Sequence, residues 1–361
     1  MKKTIALLFG GISPEHEVSV ISARSVYQAI DQEKFNIVLL GISKQGKWNV
    51  CDTSDLINLP VVEDKKERLS LVFAENKPGI LWGNQFLPID VAFPILHGCG
   101  GEDGTMQGLL DIAEIPFIGC DMESSVLCMN KTLTKTVLKE GNILQTPHFV
   151  LFEEDWLSKK TTANDIENLF SYPLFIKPAH GGSSVGISKA HDLLEMVSSI
   201  HDAFQYDREL VLEKFIKGRE LECSVLGCTE NPRASCAGEI KPKREFYDYE
   251  AKYLENSTEL IIPAILPEFT QSQIKETAKK AFKLLRCYGM ARVDFFLEEN
   301  TNNLYLNEIN TIPGFTAISL YPKLWEKEGL SYKDLVGQLI DLALARKPMR
   351  KRMLKGVLNG N

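Results

Sequence analysis

The sequence lacks the features that mark membrane, secreted and metal-ribbon proteins. No apolar run approaches the roughly 20 residues that a membrane-spanning helix needs. The N-terminus resembles the start of a signal peptide, but its apolar run ends at Gly10 and Gly11 and polar residues follow, which favours a buried first strand. None of the eight cysteines forms a C-x-x-C pair, which argues against a zinc ribbon or a thioredoxin-like motif. We therefore expect a cytoplasmic protein with reduced, buried thiols and no membrane association.

Composition and charge exclude further classes of protein. The formal net charge is −7 at pH 7, which argues against general nucleic-acid binding, although clustered basic residues still suit a small anionic ligand. Hydrophobic residues make up 44% and charged residues 25%, as in ordinary globular proteins, so a collagen, a disordered tail and a coiled coil are excluded. Neither an internal repeat nor a low-complexity stretch is present. The 361 residues suit two or three domains of roughly 100–200 residues each.

The N-terminal third has the pattern of an open α/β domain. Apolar strands are predicted at 4–9, 36–42 and 89–96. Ser13 as N-cap and Pro14 at the first helical position predict a helix between the first two strands, which gives a parallel βαβ unit. Loops at the carboxyl ends of parallel strands bind ligands, so 10–16 and 97–104 are candidate ligand loops. Residues 43–86 are more polar and are predicted to form an irregular elaboration of this domain.

The rest of the chain is predicted to form two further regions. A smaller α+β region contains helices at 123–140 and 191–204 and strands from Pro147, at 173–178 and at 210–215. The third region contains strands at 219–228, 234–241, 290–298 and 303–309, a polar loop at 242–258 and a helix at 268–287. The remaining C-terminal residues are predicted to be helical, with a solvated basic tail at 346–355.

Polar side chains converge in a predicted hairpin of the third region. If its turn centres on Thr301, Asp294 faces Glu308. The same register places Arg292 opposite Asn310, so that all four side chains share one face. Two opposed carboxylates repel each other unless a cation lies between them, and their oxygens suit Mg²⁺, while the arginine beside them suits a phosphoryl group. The alternative is a solvated polar face with cross-strand ion pairs.

A glycine-rich segment follows the strand that carries Lys177. Its sequence is Gly181-Gly182-Ser183-Ser184-Val185-Gly186, in which glycines allow close backbone approach and successive N–H groups can cradle phosphate oxygens. It is not a Walker A loop, because no Gly-Lys-Ser/Thr follows. The alternative is an ordinary hairpin turn. An anionic phosphate would, however, explain a lysine near the end of an apolar strand.

Three other segments carry weaker signals. Residues 212–216 include Glu213 and Lys214 and are, taken alone, an ordinary strand end. Residues 246–253 combine three tyrosines with acidic residues and a lysine, so they resemble either a lid over a ligand or a mobile surface loop. Pro313-Gly314-Phe315-Thr316 leads into a predicted helix, and its backbone N–H groups suit an oxyanion or a phosphate.

Taken together, these motifs resemble the metal strands of ATP-grasp ligases, and their order and spacing resemble the D-alanine–D-alanine ligase family. The resemblance runs from about residue 4 to about residue 345. It rests on 10–19, His97-Gly98, Gly101-Glu102-Asp103-Gly104, Lys177-Pro178, 182–186, 247–253, Arg292-Val293-Asp294 and 307–314. It implies a three-domain ATP-grasp fold, of α/β and α+β class, with an N-terminal open parallel-sheet domain. The domains that it implies are 1–123, 124–217 and 218–361, with nucleotide between the second and the third.

The resemblance also implies an activity and its small-molecule partners. The implied reaction joins two D-alanine molecules through a D-alanyl phosphate, consumes ATP and serves peptidoglycan precursor synthesis. It implies two Mg²⁺ sites, at which Mn²⁺ can substitute. Neither nucleic acid nor a membrane is an expected partner, and a homodimer is expected.

The resemblance assigns roles to individual residues. The implied catalytic residues are Glu15, Ser183, Tyr253, Arg292 and Gly314. The implied substrate-binding residues are His97, Glu102, Lys252, Ser319 and Leu320. Nucleotide binding is implied for Lys131, Lys177, Glu213, Lys214, Ile216, Glu220 and Phe246, and metal binding for Asp294, Glu308 and Asn310. For Glu15, which would hold the ammonium group of the first D-alanine, a simple helix-dipole role is the alternative.

Other functions remain open at this point. Ligases that join D-alanine to D-lactate or D-serine share the metal strands and differ at the lid, where Lys252-Tyr253 favours an amine as second substrate. A nucleotide-binding regulator with an inactive site is disfavoured by the intact set of metal-ligand residues. A dinucleotide site at Gly10-Gly11 is disfavoured because no G-x-G-x-x-G follows.

Overall fold

The structure, a computed structural model, describes residues 2–67, 69–72, 77–182, 185–242 and 258–346. Over these ranges the strands form four sheets, three of which follow the regions expected from the sequence. Among the described residues, no helix combines the length and the apolarity needed to cross a bilayer.

The first sheet is open and mainly parallel, as predicted. It contains β1 (Lys3–Gly10), β2 (Phe35–Ile42), β3 (Trp48–Cys51) and β7 (Val91–Ile95), in the order β3-β2-β1-β7. β1 runs parallel to both β2 and β7, and α1 (His16–Ala29) joins β1 to β2, so the predicted βαβ unit is confirmed. Most of β1 is buried, and this is why its sequence is a continuous apolar run.

Regular elements make up much of the described part of the region predicted to be irregular. After β3 it contains α2 (Thr53–Asn58) and a separate antiparallel sheet of β4 (Leu69–Val72), β5 (Gly79–Trp82) and β6 (Gln85–Pro88). The expectation of an irregular elaboration over 43–86 is therefore wrong. Each of these strands has four residues, which is too short for alternation of polar and apolar residues to stand out in the sequence.

Two predicted helices differ in their boundaries. The helix predicted at 123–140 is two helices, α4 (Met122–Met129) and α5 (Lys131–Glu140), because Asn130 between them is extended and its side chain accepts from the Leu133 N–H. The first helix begins at His16, and Ser13 instead closes the preceding turn by accepting from the Glu15 N–H. α3 (Thr105–Ile112) follows the second candidate ligand loop.

The second sheet is antiparallel, in the order β10-β9-β11-β8. Its strands are β8 (His148–Phe152), β9 (Leu174–Pro178), β10 (Ser188–Ala190) and β11 (Glu209–Lys214). The helices of this region are α6 (Glu153–Leu157), α7 (Ala163–Glu167) and α8 (Leu193–Ala203). β8, β9, β11 and α8 agree closely with the sequence-based expectation, whereas β10, α6 and α7 were not predicted.

The third sheet is antiparallel, in the order β14-β13-β12-β15-β16. Its strands are β12 (Gly218–Gly227), β13 (Arg233–Pro242), β14 (Thr258–Ile261), β15 (Gly289–Glu298) and β16 (Leu304–Asn310). The helices are α9 (Glu268–Leu284), α10 (Leu320–Lys327) and α11 (Tyr332–Ala345). The helix predicted at 268–287 therefore ends three residues early.

The C-terminal helix returns to the first sheet. Leu335 and Leu339 of α11 share one buried apolar cluster with Val26 of α1 and Phe93 of β7. Burial of this apolar surface holds the beginning and the end of the described chain together. The boundaries 1–123, 124–217 and 218–361 remain predictions.

Two glycines in different surroundings test this packing. Gly289 has a φ of +78°, and a Cβ there would lie 3.1 Å from the Cα of Gly119. Gly337 lies inside α11, where an added Cβ would meet nothing within 4 Å. We expect Gly289→Ala to lower the melting temperature, and Gly337→Ala to stabilise the protein by about 0.5–1 kcal/mol. Thermal unfolding measures both changes, and equal melting temperatures for the two variants would contradict this account.

Candidate functional site

Two strands of the third sheet bring the predicted metal and oxyanion residues onto one face. Asp294 lies opposite Glu308, and Arg292 lies opposite Asn310, as predicted. Alternate residues of β15 are buried on the other face, which is the pattern of a strand with one packed side. The hairpin therefore presents two carboxylates, a guanidinium and an amide side by side.

The turn of this hairpin differs from the expectation. Leu297 lies opposite Leu304, which is one residue out of register with a turn centred on Thr301. The register shifts beyond this point, where a β-bulge at Asn307 takes up the extra residue. The predicted turn centre is wrong, and the carboxylates face each other because the bulge restores their pairing.

Arg292 is held between two carboxylates. Its Nε and Nη2 donate to the two carboxylate oxygens of Asp294, at 2.8 and 2.7 Å. Its Nε also lies 3.0 Å from Oε2 of Glu222, a buried residue of β12 that lies opposite Asp294. Asn310 Nδ2 donates to Asp294 Oδ2 at 2.9 Å. Sequence reasoning missed Glu222, because only the pairing of β12 with β15 brings it to this face.

A buried carboxylate between two lysines forms the second part of the site. Glu213 accepts from Lys177 Nζ at 2.6 Å through Oε2, and its Oε1 lies 2.8 Å from Lys135 Nζ. Burial alone would raise the pKa of the Glu213 carboxyl, but the charges of Lys135 and Lys177 outweigh it and hold that pKa well below its usual range. Sequence reasoning missed Lys135, whose side chain is 3% exposed. Its position four residues after Lys131 on α5, on the same helix face, was the available signal.

Lys131 links this lysine pair to the glycine-rich segment and to the hairpin. Its Nζ donates to the Gly181 carbonyl at 2.8 Å. Burial lowers the pKa of Lys131, and the negative charge of Glu308 opposes that change. The cationic groups predicted to bind nucleotide therefore lie beside the predicted metal residues. Ser183, on the same glycine-rich segment, lies outside the described residues.

The loop after β7 is joined to the end of β16 through one peptide unit. Glu102 accepts from the Ile312 N–H at 2.9 Å and from the Gly98 N–H at 2.8 Å. His97 Nδ1 lies 3.0 Å from the Ile312 carbonyl, which can only accept, so the proton is on Nδ1. His97 Nε2 then accepts from Ser22, 3.1 Å away, and burial lowers the pKa of His97, which favours this neutral form.

Glu15 lies close to His97 and Glu102. It is buried at the N-cap position of α1, and its Oε2 would lie 2.8 Å from a Cβ at Gly98, whose φ of +74° favours glycine. Burial, together with the negative charge of Glu15, raises the pKa of Glu102 to about 8, while Arg292 opposes that change. Two buried carboxylates in proximity make a site that favours a cationic group such as an ammonium.

The loop between β16 and α10 carries the predicted oxyanion and carboxylate positions. Ser319 Oγ accepts from the Thr316 N–H at 3.1 Å and lies 2.7 Å from Thr316 Oγ1. A Cβ at Gly314 would lie 3.0 Å from Ser319 Oγ, which shows how closely the two residues approach. The helix expected directly after Thr316 begins at Leu320, which is buried.

The remaining predicted residues lie near the end of β11 and the start of β12. Lys214 is exposed at the end of β11, Ile216 is buried, and Glu220 lies opposite Phe296. Phe246, Lys252 and Tyr253 lie outside the described residues, together with Ser183. Their roles remain predictions.

The donor set on the hairpin fits a hard cation that is shared with a ligand. Within the described ranges, no group of three or more His, Cys, Asp or Glu residues is arranged to hold a metal ion by itself. The hairpin offers the carboxylates of Asp294 and Glu308 and the amide of Asn310. These are oxygen donors of the type that Mg²⁺ takes, and Mg²⁺ commonly completes its coordination with substrate phosphates and water.

Family models match two parts of the chain. The model described as D-ala D-ala ligase N-terminus matches residues 4–120, and the model described as D-ala D-ala ligase C-terminus matches residues 137–341. Together they cover nearly all of the first sheet and all of the second and third.

Curated relatives match nearly the full length. A D-alanine--D-alanine ligase from Caldicellulosiruptor bescii is 45% identical, over 97% of this chain and 97% of that protein. A D-alanine--D-alanine ligase from Thermoanaerobacter sp. (strain X514) is 48% identical, over 95% of this chain and 97% of that protein.

Solved structures share the fold. The VanG D-Ala:D-Ser ligase from Enterococcus faecalis superposes with a TM-score of 0.85 at 36% identity, over 95% of this chain and 100% of that chain. The D-alanine-D-alanine ligase from Coxiella burnetii gives a TM-score of 0.84 at 35% identity, over 98% of this chain and 97% of that chain. The predicted ATP-grasp fold class is thereby confirmed.

Removing the buried carboxylate tests the charge balance of this site. We expect Glu213→Gln to lower the free energy of unfolding by roughly 3–5 kcal/mol, because the buried ammonium of Lys135 loses its counter-charge. The control is Lys160→Gln, which removes an exposed ion pair with Asp155 and should leave stability unchanged. Chemical denaturation measures both variants. Equal changes in the free energy of unfolding for the two variants would show that the buried Lys135–Glu213 ion pair is no more important for stability than an exposed one.

Proposed function

The chain belongs to the D-alanine–D-alanine ligase family, and we propose that it joins two molecules of D-alanine, with conversion of ATP to ADP and phosphate. The product, D-alanyl-D-alanine, would serve as a peptidoglycan precursor. The observation that supports this most directly is the hairpin face on which Asp294, Glu308, Arg292 and Asn310 lie together. It supplies donors for a metal–nucleotide complex beside a cationic group that can stabilise an anion.

The first step activates a carboxylate, which is a poor electrophile. The carboxylate of the first D-alanine attacks the γ-phosphorus of ATP, the bond from that phosphorus to ADP breaks, and an acylphosphate forms. Both reactants are negatively charged, so cationic groups are needed around them. Lys177 and Arg292 would hold the phosphates and reduce that repulsion.

Asp294, Glu308 and Asn310 are the residues that would hold Mg²⁺, which supplies positive charge against the phosphates when it is bound. In the structure, Asp294 is paired with Arg292 and with Asn310. These side chains are therefore already gathered and oriented by one another. Metal binding would require the Asp294 oxygens to exchange at least one of these N–H donors for the cation.

In the second step, the amine of the second D-alanine attacks the acyl carbon. Phosphate leaves with the electron pair of the broken C–O bond, and the amine gives up a proton as the peptide bond forms. Arg292 and the Gly314 N–H would stabilise the oxyanion of the tetrahedral intermediate, an effect worth roughly 3–4 kcal/mol per donor in comparable sites. Ser319 at the end of the same loop and Leu320 at the start of α10, with Lys252, would receive the carboxylate of the second substrate.

Glu15 would bind the ammonium group of the first D-alanine. The support for this is its burial beside Glu102, where two carboxylates are gathered and a cation is favoured. His97 and Glu102 hold the Ile312 peptide between them and would thereby position the neighbouring oxyanion loop against that substrate. We also propose a cytoplasmic location and a homodimer.

A second candidate function is ligation of D-alanine to D-serine. The observation that favours it is the superposition on the VanG D-Ala:D-Ser ligase. D-Serine also attacks through an amine, so the hairpin chemistry is the same for both. The relatives at 45% and 48% identity are D-alanine--D-alanine ligases, and we therefore place D-alanine first.

Phosphate release in the presence of ATP, Mg²⁺ and D-alanine tests the function. We expect release that depends on D-alanine, with D-alanyl-D-alanine as the product identified by mass spectrometry. Competition with D-serine and with D-lactate at equal concentration distinguishes the related activities. A predominance of D-alanyl-D-serine would favour the second candidate, and ATP hydrolysis that does not depend on D-alanine would refute both ligase assignments.

Loss of a hairpin carboxylate should abolish turnover. We expect Asp294→Ala and Glu308→Ala to reduce kcat by at least about 100-fold, because each loses a proposed metal ligand. The matched control is Glu299→Gln in the turn of the same hairpin, where the removed ion pair with Lys217 is exposed and kcat should be retained. Measured ADP formation near the wild-type rate in either alanine variant would show that the assignment of the metal residues is wrong.

A further inference from the structure

The loop that carries Glu15 is closed by a buried histidine. His16 is 0% exposed, and its Nδ1 lies 2.7 Å from the Gly11 carbonyl. A carbonyl can only accept, so the ring proton is on Nδ1 and donates to it. This bond joins the two ends of the loop at residues 11–15. The Gly11 N–H in turn donates to the Ile42 carbonyl at the end of β2.

The other ring nitrogen of His16 reaches a different part of the chain. The Val62 N–H donates to Nε2 at 3.0 Å, which is consistent with a proton on Nδ1. Val62 belongs to residues 52–65, which include α2 and which we call the buttress segment. One neutral imidazole thus connects the loop of Glu15 to the buttress segment through both of its nitrogens.

The buttress segment is itself fixed against α1 and the first sheet. Arg24 of α1 donates from Nε to the Leu56 carbonyl and from Nη2 to the Leu59 carbonyl, each at 2.6 Å. The Val62 side chain covers the backbone at the ends of β1 and β2: a Cβ at Gly10 would lie 3.0 Å from Val62 Cγ2, and one at Gly41 would lie 2.8 Å from Val62 Cγ1. The buttress segment therefore packs directly against the end of β1, where the loop at residues 11–15 begins.

We propose that His16 is a positioning residue, through which the buttress segment holds Glu15 in place for the ammonium group of the first D-alanine. This inference rests on the proposed function. It assigns a role to part of the region between β2 and β7. A displacement of the loop would weaken binding of the first substrate, while nucleotide binding and the chemical steps would be unaffected, since their residues lie on other elements.

Two substitutions distinguish the contributions of the two hydrogen bonds that the His16 ring makes. His16→Asn places an amide nitrogen near the position of Nδ1, so it can still donate to Gly11 but does not reach Val62. His16→Gln places an amide oxygen near the position of Nε2, so it can still accept from the Val62 N–H. We expect His16→Asn to raise the KM for the first D-alanine about tenfold, with kcat and the KM for ATP unchanged, and His16→Gln to stay within about threefold of the wild type.

Amide hydrogen exchange gives a readout that is independent of turnover. The Val62 amide should exchange slowly in the wild type and in His16→Gln, and faster in His16→Asn, because only the last variant removes its acceptor. Arg24→Gln loosens the buttress segment without touching the loop, so it should raise the same KM in the same direction. This variant keeps the test decisive if His16→Asn does not fold.

The control is Lys44→Gln, which removes an exposed ion pair between α1 and the chain after β2 and should leave every KM unchanged. A KM for the first D-alanine within twofold of wild type in both His16→Asn and Arg24→Gln would overturn the inference. A loss of kcat and melting temperature at constant KM would also overturn it, since that is the signature of a purely structural residue. Failure of the proposed function is seen separately, as absence of D-alanyl-D-alanine formation by the wild-type protein.

Discussion

The placement of two carboxylates opposite each other on hydrogen-bonded strands is the constraint on which the rest of the site depends. Asp294 and Glu308 repel each other in the partly buried face of the hairpin, so cationic groups must be gathered around them. Arg292 forms an ion pair with Asp294 and a second one with Glu222 of the neighbouring strand. In the proposed function, this concentration of charge is what would bind a metal–nucleotide complex.

The parts of the site are held by elements far apart in the chain. His97 and Glu102 from the loop after β7 form hydrogen bonds with the carbonyl and the N–H of Ile312. The N-terminal sheet therefore helps to set the position of the loop that follows β16. α11 packs back against the first sheet and strengthens this connection. The loop after β7, the loop after β16 and the strands of the hairpin are thus connected by direct hydrogen bonds.

Buried charge in this protein is balanced locally. Glu213 is shared by Lys135 and Lys177, and its pKa is held low although burial alone would raise it. Near Glu15 the balance is incomplete, since the pKa of Glu102 is raised to about 8 by burial and by its acidic neighbour. A site short of positive charge favours a substrate that brings its own, as an amino acid does through its ammonium group. The proposed roles follow this difference, with phosphate at the lysines and the ammonium group of the first substrate at the glutamates.

The sequence by itself determined the long apolar strands, the βαβ unit and the residues that share a face of the hairpin, because these follow from local periodicity and from side-chain chemistry. It did not determine the short strands between β3 and β7, in which four residues are too few to show an alternating pattern, or the break at Asn130 and the bulge at Asn307, which interrupt an otherwise continuous pattern. Glu222 and Lys135 were missed for a different reason: a charged residue on a strand or a helix acquires its role only when another element pairs with it. Local pattern decides which groups an element carries, whereas tertiary packing decides which of them meet and which are taken out of water.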